Sequence, residues 1–182
     1  DGFETNSLGQ DLSGVGGWAV STNGVSGVTG RATVTNAPQA AAEGSNYATL
    51  TNATLSQAFT DNLSNVWSTV YAQLVFTENP ASFPTNATAV YFVNTNGLIT
   101  AYDGGSRTTL THTAIQTGAW ARISVELDYV NDAYDLWLGN TKVADNLGFY
   151  TNLVDDLSAV GVNSEDVGGL TLVDGVPANT GA

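Results

Sequence analysis

The chain has 182 residues, of which 42% are hydrophobic and 12% are charged, which is enough apolar material for the core of one domain. Four basic residues against seventeen acidic ones give a formal net charge of −13, so the basic surface that nucleic-acid binding requires is missing. No apolar run approaches the roughly 18 residues of a membrane-spanning helix. We therefore expect a single domain, residues 1–182, with no nucleic-acid partner and no membrane span.

Two further features of the composition indicate export. The chain contains no Cys, hence no disulfide framework, and no Met, even at position 1, which is Asp1. The missing Met predicts that an N-terminal segment has been removed, most simply a secretory signal peptide. The abundance of Thr, Asn and Gly with few charges suits an exported protein, so we expect an extracellular or cell-surface location.

In chain order, the first predicted elements are loops and short strands. The Gly-rich segments 12–18 and 21–30 read as loops, because glycine permits positive φ angles. "GRATVTN" (30–36) and "NYATLTN" (46–52) alternate at period two, which is typical of strands. The long strand "VWSTVYAQLVF" (66–76) is apolar on both faces. It is either a central strand that is covered on both sides or one that presents an outward aromatic platform.

Two hairpins and further strands follow. The segment 89–105 is predicted to turn at Asn96-Gly97, and the segment 122–138 at "VNDA" (130–133). The second hairpin has a core face and a solvent face, and the solvent face comprises Arg122, Ser124, Glu126 and Asp128. Further strands are expected at 107–113, 157–163 and 169–176. About a dozen strands separated by turns at regular intervals predict an all-β sandwich or barrel.

Four segments occur in the order of a known type of domain. They are "FE" (3–4), "GGW" (16–18), the strand 120–128 with its return 134–140, and "LVDGV" (172–176). This order resembles the laminin-G and concanavalin A-like lectin-glucanase superfamily. The resemblance implies a jelly-roll β-sandwich of two antiparallel sheets, one of them concave. This fold carries many functions, so the resemblance leaves the function open.

The sequence argues against catalysis. Retaining glycanases that the chain resembles use a Glu-x-Asp-x-x-Glu strand motif, in which two carboxyl groups lie about 5 to 5.5 Å apart. Here the motif reads Glu126-Leu-Asp128-Tyr-Val-Asn131, and an amide cannot replace the second Glu as acid and base. The single His112 has no Cys partner and no serine motif nearby, so neither a catalytic triad nor a zinc site is expected. We predict a protein that is not an enzyme.

Two kinds of binding site are candidates. The resemblance implies a structural Ca²⁺ that ties the first strand to the last through Glu4 and Asp174, although both could be ordinary surface acids. The aromatic residues Trp67, Tyr71 and Trp137 are candidates for glycan binding, since pyranose rings stack on aromatic faces. Each aromatic residue alone could instead pack in the core.

Two functions remain open. The first is a secreted structural subunit of an extracellular assembly such as a fibre, sheath or layer, in which strand edges pair with the next subunit by self-association. The alternative is a glycan-binding, lectin-like module or adhesin that recognises a polysaccharide. The sequence favours the structural subunit, because the chain is one exported domain with few charges and no catalytic set.

Overall fold

The structure is a computed structural model that describes residues 3–22, 29–36, 41–42, 44–51, 53–58, 65–73, 88–150, 159–164 and 170–174. In these residues the regular structure is entirely β-strand, and no helix among them is long and apolar enough to cross a membrane. The strands are β1 (Trp18–Thr22), β2 (Arg31–Thr35), β3 (Tyr47–Thr51), β4 (Ala53–Ala58), β5 (Asn65–Gln73), β6 (Ala89–Val93), β7 (Ile99–Asp103), β8 (Ser106–Thr109), β9 (Trp120–Asp128), β10 (Ala133–Leu138), β11 (Thr141–Gly148), β12 (Ala159–Ser164) and β13 (Leu170–Asp174).

The described strands form three sheets in which every pairing is antiparallel. A seven-stranded sheet has the order β1-β4-β12-β13-β6-β7-β8, and a four-stranded sheet has the order β11-β10-β9-β5. The strands β2 and β3 form a two-stranded sheet of their own. The protein is therefore all-β, as the period-two alternation predicts.

The two larger sheets pack face to face over one hydrophobic core. Alternate residues of β6 and β7 meet alternate residues of β9 and β10, so each strand buries one face against the other sheet. The fully buried members include Tyr91, Ile99, Ile123, Leu127, Tyr134 and Leu136. The hydroxyl of Tyr134 is buried too, and it donates a hydrogen bond to the backbone carbonyl of Tyr102. This arrangement is a β-sandwich.

A second, smaller core lies under the two-stranded sheet. Its buried members are Leu12, Ala32, Val34 and Leu55, so it joins the N-terminal loop, β2 and β4. The backbone N–H of Leu12 donates to the carbonyl of Ala32, which holds the loop against β2. The N-terminal region is thereby attached to the seven-stranded sheet through β4.

Both predicted hairpins are confirmed. The first joins β6 to β7, and there the Asn94 side chain accepts hydrogen bonds from the backbone of Asn96 and Leu98, which closes the turn. The second joins β9 to β10 with Asp128 opposite Ala133. The strands predicted at 30–36, 46–52, 157–163 and 169–176 are present as β2, β3, β12 and β13. The strand predicted at 107–113 is present in part as β8, which ends at Thr109, and residues 110–113 are not strand.

Other predictions about elements are wrong. The strands β4 and β11 were not expected. The strand β1 includes Trp18, Ser21 and Thr22 from the ends of the two predicted loops, because pairing with β4 extends them, whereas residues 12–17 form turns as predicted. Phe3 and Glu4 do not form an opening strand. The carbonyl of Phe3 accepts from the N–H of Asn6, and Phe3 has a φ of 55°, so the chain turns there.

The long strand predicted at 66–76 is described as β5 up to Gln73. Among the described residues it pairs with β9 only, so it forms an edge of the four-stranded sheet and is not a central strand. Val66 packs on the core from one face, whereas Trp67 on the other face is 54% exposed. The alternative of an outward aromatic face is therefore the one that the structure supports at Trp67.

Candidate functional site

The side of the four-stranded sheet that faces away from the core carries the candidate site, which we call the outer face. It is defined by alternation with the buried residues of β9 and by the strand register, in which Trp67 and Asp135 both lie opposite Glu126. One step along, Thr69 and Trp137 both lie opposite Ser124, and Lys142 lies opposite Trp137. Its residues are Trp67, Thr69, Ser124, Glu126, Asp135, Trp137 and Lys142.

Two tryptophans from the strands flanking β9 meet on the outer face. The ring centroids of Trp67 and Trp137 are 5.7 Å apart, with an angle of 49° between the ring planes. Since one indole comes from β5 and the other from β10, the pair passes over β9 between them. Trp67 keeps more than half of its surface in solvent. The outward position predicted for Trp137 is consistent with this contact.

Beneath the indole pair, one residue of β9 is more buried than the sequence predicts. Ser124 was predicted to face solvent, but only 2% of it is exposed; in the strand register it lies between Thr69 on β5 and Trp137 on β10. Its hydroxyl is satisfied by the hydroxyl of Thr69 at 2.8 Å. The prediction of a solvent face along β9 is therefore wrong at this one residue, whereas Arg122, Glu126 and Asp128 remain partly exposed.

Lys142 forms an ionic cluster beside Trp137. Its ammonium nitrogen lies 5.2 Å from the ring centroid of Trp137. The same nitrogen forms ion pairs with Asp135 at 2.5 Å and with Asp145 at 2.8 Å. The hydrogen bond to Asp135, followed by that to Asp145, raises the pKa of Lys142 well above its usual value. The hydrogen bond from Lys142 in turn lowers the pKa of Asp145. Both shifts favour the charged forms of Lys142 and Asp145.

A shallow depression next to the tryptophans is rich in carboxylates. It has a volume of about 500 Å³ and is lined by Glu126, Asp128, Ala133, Tyr134, Asp135, Asp145 and Asn146. Glu126 is half-buried, and its carboxylate makes no hydrogen bond or ion pair with any residue that the structure describes. The depression thus offers hydrogen-bond acceptors beside an exposed indole.

Asp128 has a different task from Glu126. Its carboxylate accepts hydrogen bonds from the backbone N–H groups of Val130 and Asn131 and from the Asn131 side chain, at 2.7 to 3.1 Å. The Asn131 side chain is the main cause that lowers the pKa of Asp128. Asp128 therefore closes the β9–β10 turn, and the Asn that replaces the second Glu of the glycanase motif helps it to do so.

Two other residues singled out in the sequence have these positions. The backbone of Tyr71 lies opposite Arg122, four residues from Trp67 and on the same face, while its side chain lies outside the part that the structure describes. His112 is structural. Its Nε2 accepts from the N–H of Ile99 at 2.8 Å, and its Nδ1 donates to the carbonyl of Thr113.

The predicted calcium ligands have these surroundings. Glu4 Oε1 accepts hydrogen bonds from the N–H groups of Ser45 at 2.7 Å and Asn46 at 2.9 Å, and these bonds lower the pKa of Glu4. The backbone of Asp174 pairs with Ala89 and Val160, while its side chain is not among those described. Within the described residues, no three His, Cys, Asp or Glu side chains come together as a metal-binding group. The calcium site stays a prediction.

The two tryptophans were predicted from the sequence as binding residues, whereas Asp135, Lys142 and Asp145 beside them were not. Lys142 is the single lysine of a chain that has only four basic residues. That rarity could have marked it as a candidate site residue. Asp135 precedes Trp137 by two residues on β10, so the two share a face. The pairing with β11, which brings Lys142 to Trp137, could not be predicted because β11 itself was not expected.

Comparisons with known proteins give limited information. No family model matches the sequence, and no curated protein matches it. Among solved structures, a chain titled "Sialidase" is similar with a TM-score of 0.46 and 8% sequence identity. The match covers 96% of this chain but 15% of that one, so this chain spans a small part of the sialidase structure. A similarity at this level carries no argument about catalysis or ligand.

Proposed function

We propose that the protein is a non-catalytic glycan-binding module that holds a polysaccharide on the outer face of the four-stranded sheet. The observation that carries this proposal is the tryptophan pair, in which Trp67 is 54% exposed although it contacts Trp137. Covering the exposed part of this indole would remove apolar surface from water, which favours binding by roughly 25 cal/mol per Å² buried. The apolar face of a pyranose ring would cover it.

The surroundings of the indoles supply the polar contacts that a sugar needs. Glu126 and Asn146 line the adjoining depression. Their polar groups can form hydrogen bonds with sugar hydroxyls. A few polar groups beside an apolar surface are typical of ligand sites. The net charge of −13 disfavours acidic glycans, so we propose a neutral or cationic polysaccharide.

Binding can be tested by titrating the protein with oligosaccharides while recording tryptophan fluorescence and calorimetric heat. We expect Trp67→Ala to weaken binding at least tenfold, because the stacking surface is lost. Val130→Ala is the matched control, since Val130 is 76% exposed and lies in the β9–β10 turn, away from the indoles. If the unaltered protein binds no neutral or cationic glycan, or if Trp67→Ala binds as tightly as Val130→Ala, the proposal is wrong.

A second proposal is that the protein is a structural subunit that self-associates through β5. Among the described residues this nine-residue strand pairs on one side only, and it contains no charged residue. Long, uncharged edge strands are templates for pairing with another chain. Negative-stain electron microscopy tests this: regular fibres or sheets that disappear in Thr69→Lys, but persist in Thr109→Lys on β8, would support it. Discrete particles for the unaltered protein would exclude it.

The remaining features of this proposal concern family, location and metal. We propose a laminin-G or concanavalin A-like jelly roll that acts outside the cell, with a structural Ca²⁺ held by Glu4 and Asp174. The location rests on the composition, and the metal rests on the resemblance and on the carboxylate chemistry that Ca²⁺ prefers. Calcium should raise the melting temperature of the unaltered protein but not that of Asp174→Asn. An unchanged melting temperature in both would rule out the metal.

A further inference from the structure

The protein contains its own example of an ammonium group on the outer face. The Lys142 nitrogen lies 5.2 Å from the ring centre of Trp137 and is bonded to the carboxylates of Asp135 and Asp145. An indole attracts a cation through its ring quadrupole, and two carboxylates supply the opposite charge. Half of the tryptophan pair is thus already engaged with a primary ammonium.

The other half of the pair repeats this arrangement without a cation from the protein. Trp67 lies directly opposite Glu126 in the strand register, which brings their Cβ atoms to about 4.5 to 5.5 Å. The Glu126 carboxylate borders the depression and has no bonded partner among the described residues. An exposed indole and a half-buried carboxylate therefore stand together with no described lysine or arginine bound to the carboxylate.

The other cations of the chain do not fill this role. Arg122 lies on the same side of β9 as Glu126, but it is opposite Tyr71, four residues along β5 from Trp67. The guanidinium of Arg107 lies over Tyr102 on the seven-stranded sheet. Arg31 belongs to β2 of the small sheet. A cation at Trp67 and Glu126 would therefore come from a ligand, and the net charge of −13 favours its approach.

We infer that the glycan bound on the outer face carries free amino groups, and that one protonated amine sits between the Trp67 indole and the Glu126 carboxylate. This inference rests on the proposed glycan-binding function. A sugar ring with an amine substituent can pack on Trp67 while its ammonium reaches Glu126. A neutral sugar would cover the indole but leave a half-buried carboxylate without a counter-charge, which costs free energy on desolvation. The ligand class is a polymer of 2-amino-2-deoxy sugars.

The test compares two ligands of equal length, a glucosamine hexamer and the fully N-acetylated hexamer, by isothermal titration calorimetry. We expect the amine form to bind at least tenfold more tightly than the acetylated form. Glu126→Gln keeps the size of the side chain and removes its charge, so it should abolish that preference. Asp132→Asn is the matched control: it removes the same charge from an exposed turn residue with a φ of 53°, a conformation that Asn tolerates.

The outcomes distinguish a failure of the amine inference from a failure of the proposed glycan binding. If both hexamers bind equally and Glu126→Gln changes neither, the amine inference is wrong while glycan binding stands. If neither hexamer nor any neutral glycan binds, the proposed function fails and the inference fails with it. If polylysine of similar length binds as tightly and depends equally on Glu126, the site takes cationic polymers in general, and the assignment to an amino sugar is overturned.

Discussion

At the scale of single residues, Ser124 shows how a neighbouring strand can reverse the environment of a side chain. Alternation along β9 places it on the solvent face, yet it is 2% exposed and bonded to the Thr69 hydroxyl. The two partners are not equivalent, since Thr69 lies on the exposed surface and can bond to water instead. The loss of one partner should therefore differ in cost from the loss of the other.

We predict that Thr69→Val destabilises the protein by about 1 to 3 kcal/mol, because it leaves the buried Ser124 hydroxyl unsatisfied. Ser124→Ala should cost less, about 0.5 to 1.5 kcal/mol, since water can satisfy Thr69. The double variant should be close to Ser124→Ala alone, because the buried hydroxyl is then gone. Urea unfolding of the four proteins measures this, and strictly additive losses would contradict it.

Glu4 is a second residue whose role is local. Hydrogen bonds from the N–H groups of Asn46 and then Ser45 lower its pKa below the ordinary value of 4.5. A carboxylate whose folded-state pKa is lowered contributes stability that is fully present above the unfolded pKa. That contribution is lost as the pH falls through the lowered folded-state pKa.

We therefore predict that the difference in unfolding free energy between the unaltered protein and Glu4→Gln is constant from pH 7 to about pH 5.5. Below pH 4.5 the difference should shrink as the carboxylate becomes protonated in the unfolded state first. Chemical unfolding between pH 7 and pH 3 checks this. A difference that grows towards low pH would contradict the assignment of these hydrogen bonds to Glu4.

At the scale of elements, the turn between β6 and β7 depends on one glycine. Gly97 has a φ of 75°, and a Cβ atom built there would lie 2.4 Å from the backbone carbonyl oxygen of Ile115. The N–H of Ile115 in turn donates to the carbonyl of Gly97, so the two backbone segments are held close together. Glycine is needed here for both the backbone angle and the close approach.

We predict that Gly97→Ala costs at least about 2 kcal/mol of unfolding free energy, because the backbone strain and the clash add together. Gly139→Ala is the control that separates the two effects. Gly139 has a φ of 60° but no atom within 4 Å of the added Cβ, so only the strain of about 1 kcal/mol should appear. Equal losses at both positions, measured by urea unfolding, would show that the clash with Ile115 is unimportant.

The position of β5 in its sheet could not be predicted from its sequence. Its sequence carries apolar residues on both faces, which fits a central strand and an aromatic platform equally well. Only the pairing with β9 on one side, and the meeting of Trp67 with Trp137, distinguish the two. The strands β4 and β11 were missed because their polar residues resemble loop sequence until a neighbouring strand supplies the backbone hydrogen bonds.

At the scale of the whole molecule, the order of strands in the sheets could not be read from the chain. The strand β4 pairs with β12, about one hundred residues later, and β5 pairs with β9 across three intervening strands. Such long-range pairings depend on how complete faces fit together, and local periodicity carries no record of them. The expected jelly-roll connectivity stays part of the proposal for the same reason.

Some features of the candidate site could likewise be predicted from the chain, whereas others depend on how the strands pair. Alternation and charge are local properties, so they predict the all-β fold, the outward position of Trp137 and the acidic surroundings directly from the chain. The contact of Trp67 with Trp137, the approach of Lys142 to that indole and the position of Glu126 beside an exposed ring depend on how the strands assemble. These residues come from four strands, so their contacts exist only once the sheet has assembled and its register is established.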